Sequence, residues 1–173
     1  QPAHNAGYAR DARRVARPTV RALARTTGEI VVPSGSCTSM IVHHWPELFA
    51  GTRDEARARA VAARVRELSA ALAGAPPTAP PAPAPPARVV AYHGSCHLER
   101  GLGVRDEPRA ALAAAGCEVR EAAHASLCCG FGGTFAVKLT DVSAAMADEK
   151  LDELAATGAR TVVGCDLSCL MHL

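Results

Sequence analysis

The chain has 173 residues, a formal net charge of +2, and is 49% hydrophobic but only 3% aromatic. That length suits one ordinary domain or two small ones, with a core drawn mainly from Val, Leu, Ile and Ala. The near-balanced charge, with no Lys/Arg tract interleaved with aromatics, disfavours a nucleic-acid partner, and no apolar run reaches the roughly 18 residues of a membrane-spanning helix.

In chain order, a helical pattern runs from Tyr8 to Arg25, where Pro18 is expected to kink or divide it. Arg10, Arg13, Arg14, Arg17, Arg21 and Arg25 fall on one side of that helix, which suits either a solvated face or a docking face for an acidic partner. GEIVVPSG, from Gly28, predicts a strand, and Cys37 to Phe49 is helix-like. The Ala/Arg/Glu-rich stretch from Asp54 to Leu72 predicts another helix, with Thr52 or Asp54 at its start and Gly74 at its end. Residues 74–87, GAPPTAPPAPAPPA, hold seven prolines in fourteen positions and predict an extended linker. It separates a first domain, 1–73, from a second, 88–173.

The second domain alternates strand (ARVVAYH), loop, helix (PRAALAAAG), strand (CEVREA), a CCG loop, a long helix over about Val137 to Thr157, and strand (ARTVVG). Such alternation predicts an α/β fold: two related βα-type half-domains with short parallel sheets. A short repeat links them. Val31-Val32 leads to Ser36-Cys37, Val89-Val90 to Ser95-Cys96, and Val162-Val163 to Ser168-Cys169. Each β run thus delivers a Ser-Cys just past its end, where open α/β sheets bind ligands.

Seven cysteines are more consistent with metal ligands or redox thiols than with a disulfide framework, and an odd count agrees. In the second domain Cys96 is followed after 31 residues by Cys128-Cys129-Gly130, and later by Cys169. Four thiolates from three loops match the ligand number of a [4Fe-4S] cluster. Gly130, Gly132 and Gly133 would let backbone N–H groups approach such a cofactor. Three alternatives stand beside it. Structural zinc usually draws on two close ligand pairs, whereas only the vicinal pair is close here. A dithiol switch leaves Cys96 and Cys169 unexplained. Burial as apolar residues suits Cys117 better than CCGFGG. His93 and His97 flank Cys96, where they would either hydrogen-bond a cluster thiolate or simply add polarity to the loop.

CCGFGGTFAVK, YHGSCHLERGLGVRDEP and SCLMH resemble the cysteine-rich CCG domain of a tandem-domain iron-sulfur family. That family includes lactate utilization protein A, the iron-sulfur subunits of glycolate oxidase and anaerobic glycerol-3-phosphate dehydrogenase, and the CCG-bearing subunit of heterodisulfide reductase. The resemblance is nearest to the lactate utilization type and covers nearly the whole chain outside the linker. It implies a [4Fe-4S] cluster held by Cys96, Cys128, Cys129 and Cys169, with Cys37 belonging to an incomplete site in the first domain. It implies a non-catalytic electron-transfer component of an L-lactate oxidising complex, with an iron-sulfur partner and a small partner subunit; the lack of a spanning run or signal-peptide pattern in the sequence reads as cytoplasmic. Donors such as glycolate or glycerol 3-phosphate, and a structural zinc or interaction module without redox role, remain as alternatives. QPAHNAGY at the start resembles the stretch immediately after a first CCG, which implies that the chain lacks both ends of the family pattern. Where that pattern has CxxC, this chain has Asp166-Leu-Ser-Cys169 and Ser34-Gly-Ser-Cys37. Asp166 is therefore either an unusual oxygen ligand or, on residue type, an N-cap. Cys165 is extra to the pattern.

Overall fold

The periodic Ala, Val and Arg positions after Tyr8 do form a helix. In the computed structural model, which describes residues 1–74 and 88–173, a short α1 (Pro2–Asn5) precedes α2 (Ala9–Leu23). Pro18 sits inside α2 without dividing it. Its missing N–H and its ring disfavour the helix locally, but Ala12 and Val20 on either side are buried in the same hydrophobic cluster, so packing holds both turns in one register.

Strand β1 (Ile30–Val32) follows, then α3 (Gly35–Ser39), a π-helical turn (Met40–His44) and α4 (Trp45–Leu48). The stretch after Asp54 is not one helix. It forms α5 (Glu55–Ala62), strand β2 (Val65–Glu67) and α6 (Leu68–Ala73). β2 pairs in parallel with β1, Ile30 opposite Val65. Its two outer residues are buried and Arg66 is exposed, the alternation of a strand with one covered face. Pairing with the β1 edge overrides the helix propensity of the surrounding Ala and Arg. The core of this half includes Trp45 and Phe49, both buried, together with Val20, Leu48 and Val61. Two of the six aromatic residues, Trp45 and Phe49, thus join a core expected to be aliphatic.

The arginine face of α2 is only partly a solvated one. Arg17 and Arg21 reach Asp54 at 3.1 Å and Arg57 reaches it at 2.9 Å, around a carboxylate with no exposed surface. Asp54 stands at the head of α5, but these arginines, rather than the helix N–H groups, take its oxygens. Arg21 first, and then Arg57, hold the Asp54 carboxyl below its ordinary 3.8 against burial, which opposes them. A depressed carboxyl stabilises the fold above its unfolded pKa, and that contribution disappears as pH falls through the folded value. Asp54→Asn is therefore expected to melt at a lower temperature at pH 7, with the gap closing below pH 3.8. Equal melting temperatures at pH 7 would contradict this arrangement.

The second half is a three-stranded parallel sheet in the order β4-β3-β5, made of β3 (Arg88–His93), β4 (Cys117–Arg120) and β5 (Val162–Gly164). α7 (Asp106–Ala114) connects β3 to β4, while α8 (Thr134–Lys138) and α9 (Thr140–Ala155) lie between β4 and β5. The long helix expected after the CCG loop is interrupted at Leu139, whose φ of −129° and ψ of 54° are not helical. Central β3 is buried from Val90 to His93. α10 (Leu167–His172) follows β5. Between β3 and α7, where a plain loop was expected, His97–Gly101 form a π-helical turn. The α/β expectation holds. Except for Gly74, the proline-rich segment lies outside the described residues.

The two sheets are joined beside the carboxyl ends of β3 and β5. Gly35 donates its N–H to the Cys165 carbonyl at 3.3 Å. A Cβ at Gly35 would stand 2.8 Å from the Leu98 Cβ, so α3 and the Leu98 turn approach as closely as they do because Gly35 has no side chain. His43 Nε2 lies 3.1 Å from the Gly101 carbonyl across the same contact.

Candidate metal centre

All three Ser-Cys pairs of the repeat do follow a strand, but they do not end in the same place. Cys96 comes three residues after β3, and Cys169 lies in the first turn of α10 after β5. Cys128 and Cys129 arrive from the loop between β4 and α8. All four line one cavity, together with Ser36, Asp166, Ser168, Phe131, Gly132 and Gly133. Gln1, Pro2 and Asn5 close part of its rim. Cys37 is on the protein surface, outside this cavity. The reason is angular: Ser36 faces inward, and the next residue of α3 turns by about 100° away from it.

The CCG loop depends on Gly130. Its φ is +84°, and a Cβ there would meet the Ser143 carbonyl oxygen at 2.6 Å and the Met146 Cβ at 2.9 Å. The Gly130 N–H points to the Cys128 sulfur at 3.4 Å, and the Gly130 carbonyl accepts from the Ser143 hydroxyl at 2.8 Å. Gly132, with φ +50°, packs its bare Cα on Phe135 in the same way, 2.8 Å from where a Cβ would stand. Gly130→Ala combines left-handed strain with a backbone clash, and a loss of about 2 kcal/mol or more in chemical denaturation is expected. An alanine variant with unchanged stability would contradict the loop geometry.

The thiols form a hydrogen-bonded row from Cys96 through Cys128 and Cys129 to Cys169. Hydrogen bonds from Cys129 and then Cys96 push the Cys128 thiol well down, with the Gly130 N–H and the Arg100 charge helping. The Cys129 hydrogen bond also lowers Cys169, to which His93 adds. The two donors move the other way, Cys96 chiefly through Cys128 and Cys129 through Cys128 and Cys169. The row therefore already favours thiolate at two of its four positions, the form that binds metal.

A buried cation stands behind the loop. Lys150 of α9 has no exposed surface and donates to the Ala125 carbonyl at 2.9 Å, just ahead of the CCG. Burial lowers its pKa. Lys138, at the end of α8 and closer to the CCG in sequence, is exposed. His93, at the end of β3, is 1% exposed, and neither ring nitrogen has an oxygen or nitrogen partner. A ring nitrogen lies within 4.8 Å of the Cys129 and Cys169 sulfurs, which are also that close to each other. Four thiols and an orphaned imidazole gathered behind one cavity fit an iron-sulfur or other soft-metal site.

Asp166 stands at the N-cap position of α10, but its carboxylate caps nothing. It accepts from the Ser34 hydroxyl at 2.8 Å, from the Ser36 N–H at 3.0 and 3.1 Å, from the Ser36 hydroxyl at 2.7 Å and from the Ser95 hydroxyl. With its oxygens so engaged it is a clamp between the halves rather than an oxygen ligand. The serines of the Ser-Cys repeat were the available signal for it: two of the three bond to this carboxylate. Cys165, half-buried, has its sulfur 3.9 Å from the Tyr92 hydroxyl, away from the cavity, and Cys117 lies in β4.

Thiols gathered at the carboxyl edge of a short parallel sheet define a cysteine-rich α/β protein of the CCG class, and the CCG cysteine-rich domain family matches residues 90–173. The whole chain aligns at 38% identity over 175 residues with lactate utilization protein A 2 of Bacillus cereus, covering 72% of that protein. Lactate utilization protein A 1 of Bacillus anthracis aligns at 37% with the same coverage, and lactate utilization protein A of an Exiguobacterium at 37%, covering 71%. The chain belongs to the lactate utilization protein A family.

Proposed function

We propose that this protein is an iron-sulfur electron-transfer subunit in L-lactate oxidation, with one [4Fe-4S] cluster held by Cys96, Cys128, Cys129 and Cys169. The observation that carries this is the convergence of those four sulfurs, from three segments at one sheet edge, on a single cavity. When bound, such a cluster supplies one-electron transfer. The chain's own part is to hold the ligands, to shield them with Phe131 and the Gln1–Pro2 segment, and to aim the Gly130 N–H at the Cys128 sulfur. Lys150, buried behind the loop, faces Glu153, Glu99 and Glu121 first and Cys129 more weakly, while Arg100 favours the Cys128 thiolate.

The two βα halves, 1–73 and 88–173, act as related CCG units, of which the second carries the complete ligand set. The names of the relatives support lactate utilization as the setting. An iron-sulfur partner and a small partner subunit complete the complex, with the substrate chemistry residing in a partner. Seven free cysteines suit the cytoplasm, and among the described residues no helix is long and apolar enough to cross a membrane. The test is reduction of the reconstituted protein, mixed with its partner subunits, on addition of L-lactate. Bleaching of the visible cluster absorption by L-lactate is expected; bleaching only by glycolate or glycerol 3-phosphate would assign a different donor.

A further inference from the structure

Within the four-thiol cavity, three donors are gathered more tightly than a cluster requires. A nitrogen of His93 and the sulfurs of Cys129 and Cys169 all lie within 4.8 Å of one another. Ligands about 2.0 to 2.3 Å from a tetrahedral zinc ion stand roughly 3.5 to 4 Å apart, so small side-chain rotations would bring these three onto one ion. Cys96 is not in this group; its thiol bonds to Cys128 at the other end of the row.

Burial singles out the same three residues. His93 is 1% exposed, Cys129 4% and Cys169 8%. The imidazole faces the two sulfurs and helps to lower the Cys169 thiol, and neither of its nitrogens reaches an oxygen or nitrogen partner. A metal–nitrogen bond would satisfy this buried polar group, whose desolvation nothing but the sulfurs offsets. Asp166 is not a competing donor, because three serines occupy its oxygens.

We infer that His93, Cys129 and Cys169 form a mononuclear site for one soft divalent cation of the zinc or ferrous type. Its donor set is one nitrogen and two sulfurs, with the fourth position open to the cavity. The site shares two sulfurs with the proposed cluster, so the two occupancies exclude each other, and a chain loaded with zinc here cannot take up the cluster until the ion leaves. Ion uptake releases the protons still held by the two thiols.

The test is an anaerobic titration of the iron- and sulfide-free full chain with cobalt(II), whose ligand-field and thiolate charge-transfer bands report tetrahedral sulfur ligation. One cobalt per chain is expected. His93→Ala and the size-conserving His93→Gln should each weaken binding by about tenfold or more, while Cys117→Ser, in β4 outside the cavity, should leave the affinity unchanged. Affinity equal to the native chain's in both His93 variants, loss of the site in Cys117→Ser, or no stoichiometric cobalt uptake by the native chain would each overturn the inference. Iron reconstitution separates it from the cluster proposal. If the native chain binds one cobalt but assembles no iron cluster, the cluster fails and the mononuclear site stands; if it assembles iron but the His93 variants bind cobalt normally, the reverse holds.

Discussion

Cys128→Ser is expected to abolish iron retention after anaerobic reconstitution, taking the protein from about four iron atoms per chain to near none. Cys128 is the thiol most strongly favoured as thiolate, because it accepts from both Cys129 and Cys96 and from the Gly130 N–H. A serine hydroxyl in its place stays protonated at neutral pH and is a poor ligand for iron. The matched controls are Cys117→Ser and Cys37→Ser, at a strand and at the surface, outside the cavity. Both should keep the native iron content. Full iron in Cys128→Ser, or iron loss in the two controls, would displace the site from the cavity described.

The second large effect is expected at Asp166. Asp166→Ala removes a buried carboxylate that satisfies the Ser34, Ser36 and Ser95 hydroxyls and the Ser36 N–H. Hydrogen bonds to a charged group are worth about 1.5–3 kcal/mol each, and the orphaned donors add a desolvation cost, so a loss on the order of 3 kcal/mol or more is expected in urea unfolding. Because Asp166 also begins the helix that carries Cys169, iron content should fall in the same variant. Asp166→Asn keeps an acceptor oxygen but turns an N–H₂ toward hydroxyls, and should fall between the two. An alanine variant within about 0.5 kcal/mol of the native protein would mean that the clamp does not join the halves.

Much of the second half was legible from residues alone, because its signals are local. β runs alternate with helical stretches, and the glycines after Cys129 announce a turn that side chains could not follow. The three-residue β2 was not legible. Val65-Arg66-Glu67 has too little pattern to compete with the Ala and Arg around it, and it is a strand only because β1 offers an edge to pair with. Pro18 does not divide α2, since the local breaking tendency gave way to burial of Ala12 and Val20 on either side of it.

At the candidate site the Ser-Cys repeat identified the right strand ends but not which side chain would point inward. For Cys37 that was decided by how α3 sits against the cavity: Cys37 and Cys169 are each the third residue of their helices, yet α3 turns Ser36 rather than the cysteine inward. His93 and Lys150 had no motif to mark them; their burial comes from central β3 and from the packing of α9 behind the loop. Asp166 differed from the family's CxxC, which drew attention to it as a ligand, whereas the three serines that occupy it come from segments up to 132 residues away.

The central claim is that Cys96, Cys128, Cys129 and Cys169 together hold an iron-sulfur cluster. It is tested most directly by counting iron, sulfide and zinc in the anaerobically reconstituted full chain and recording its EPR spectrum after reduction. About four iron and four sulfide per chain, with a paramagnetic signal on one-electron reduction, is the predicted result. One tightly held zinc, no sulfide and no signal after reduction would contradict it.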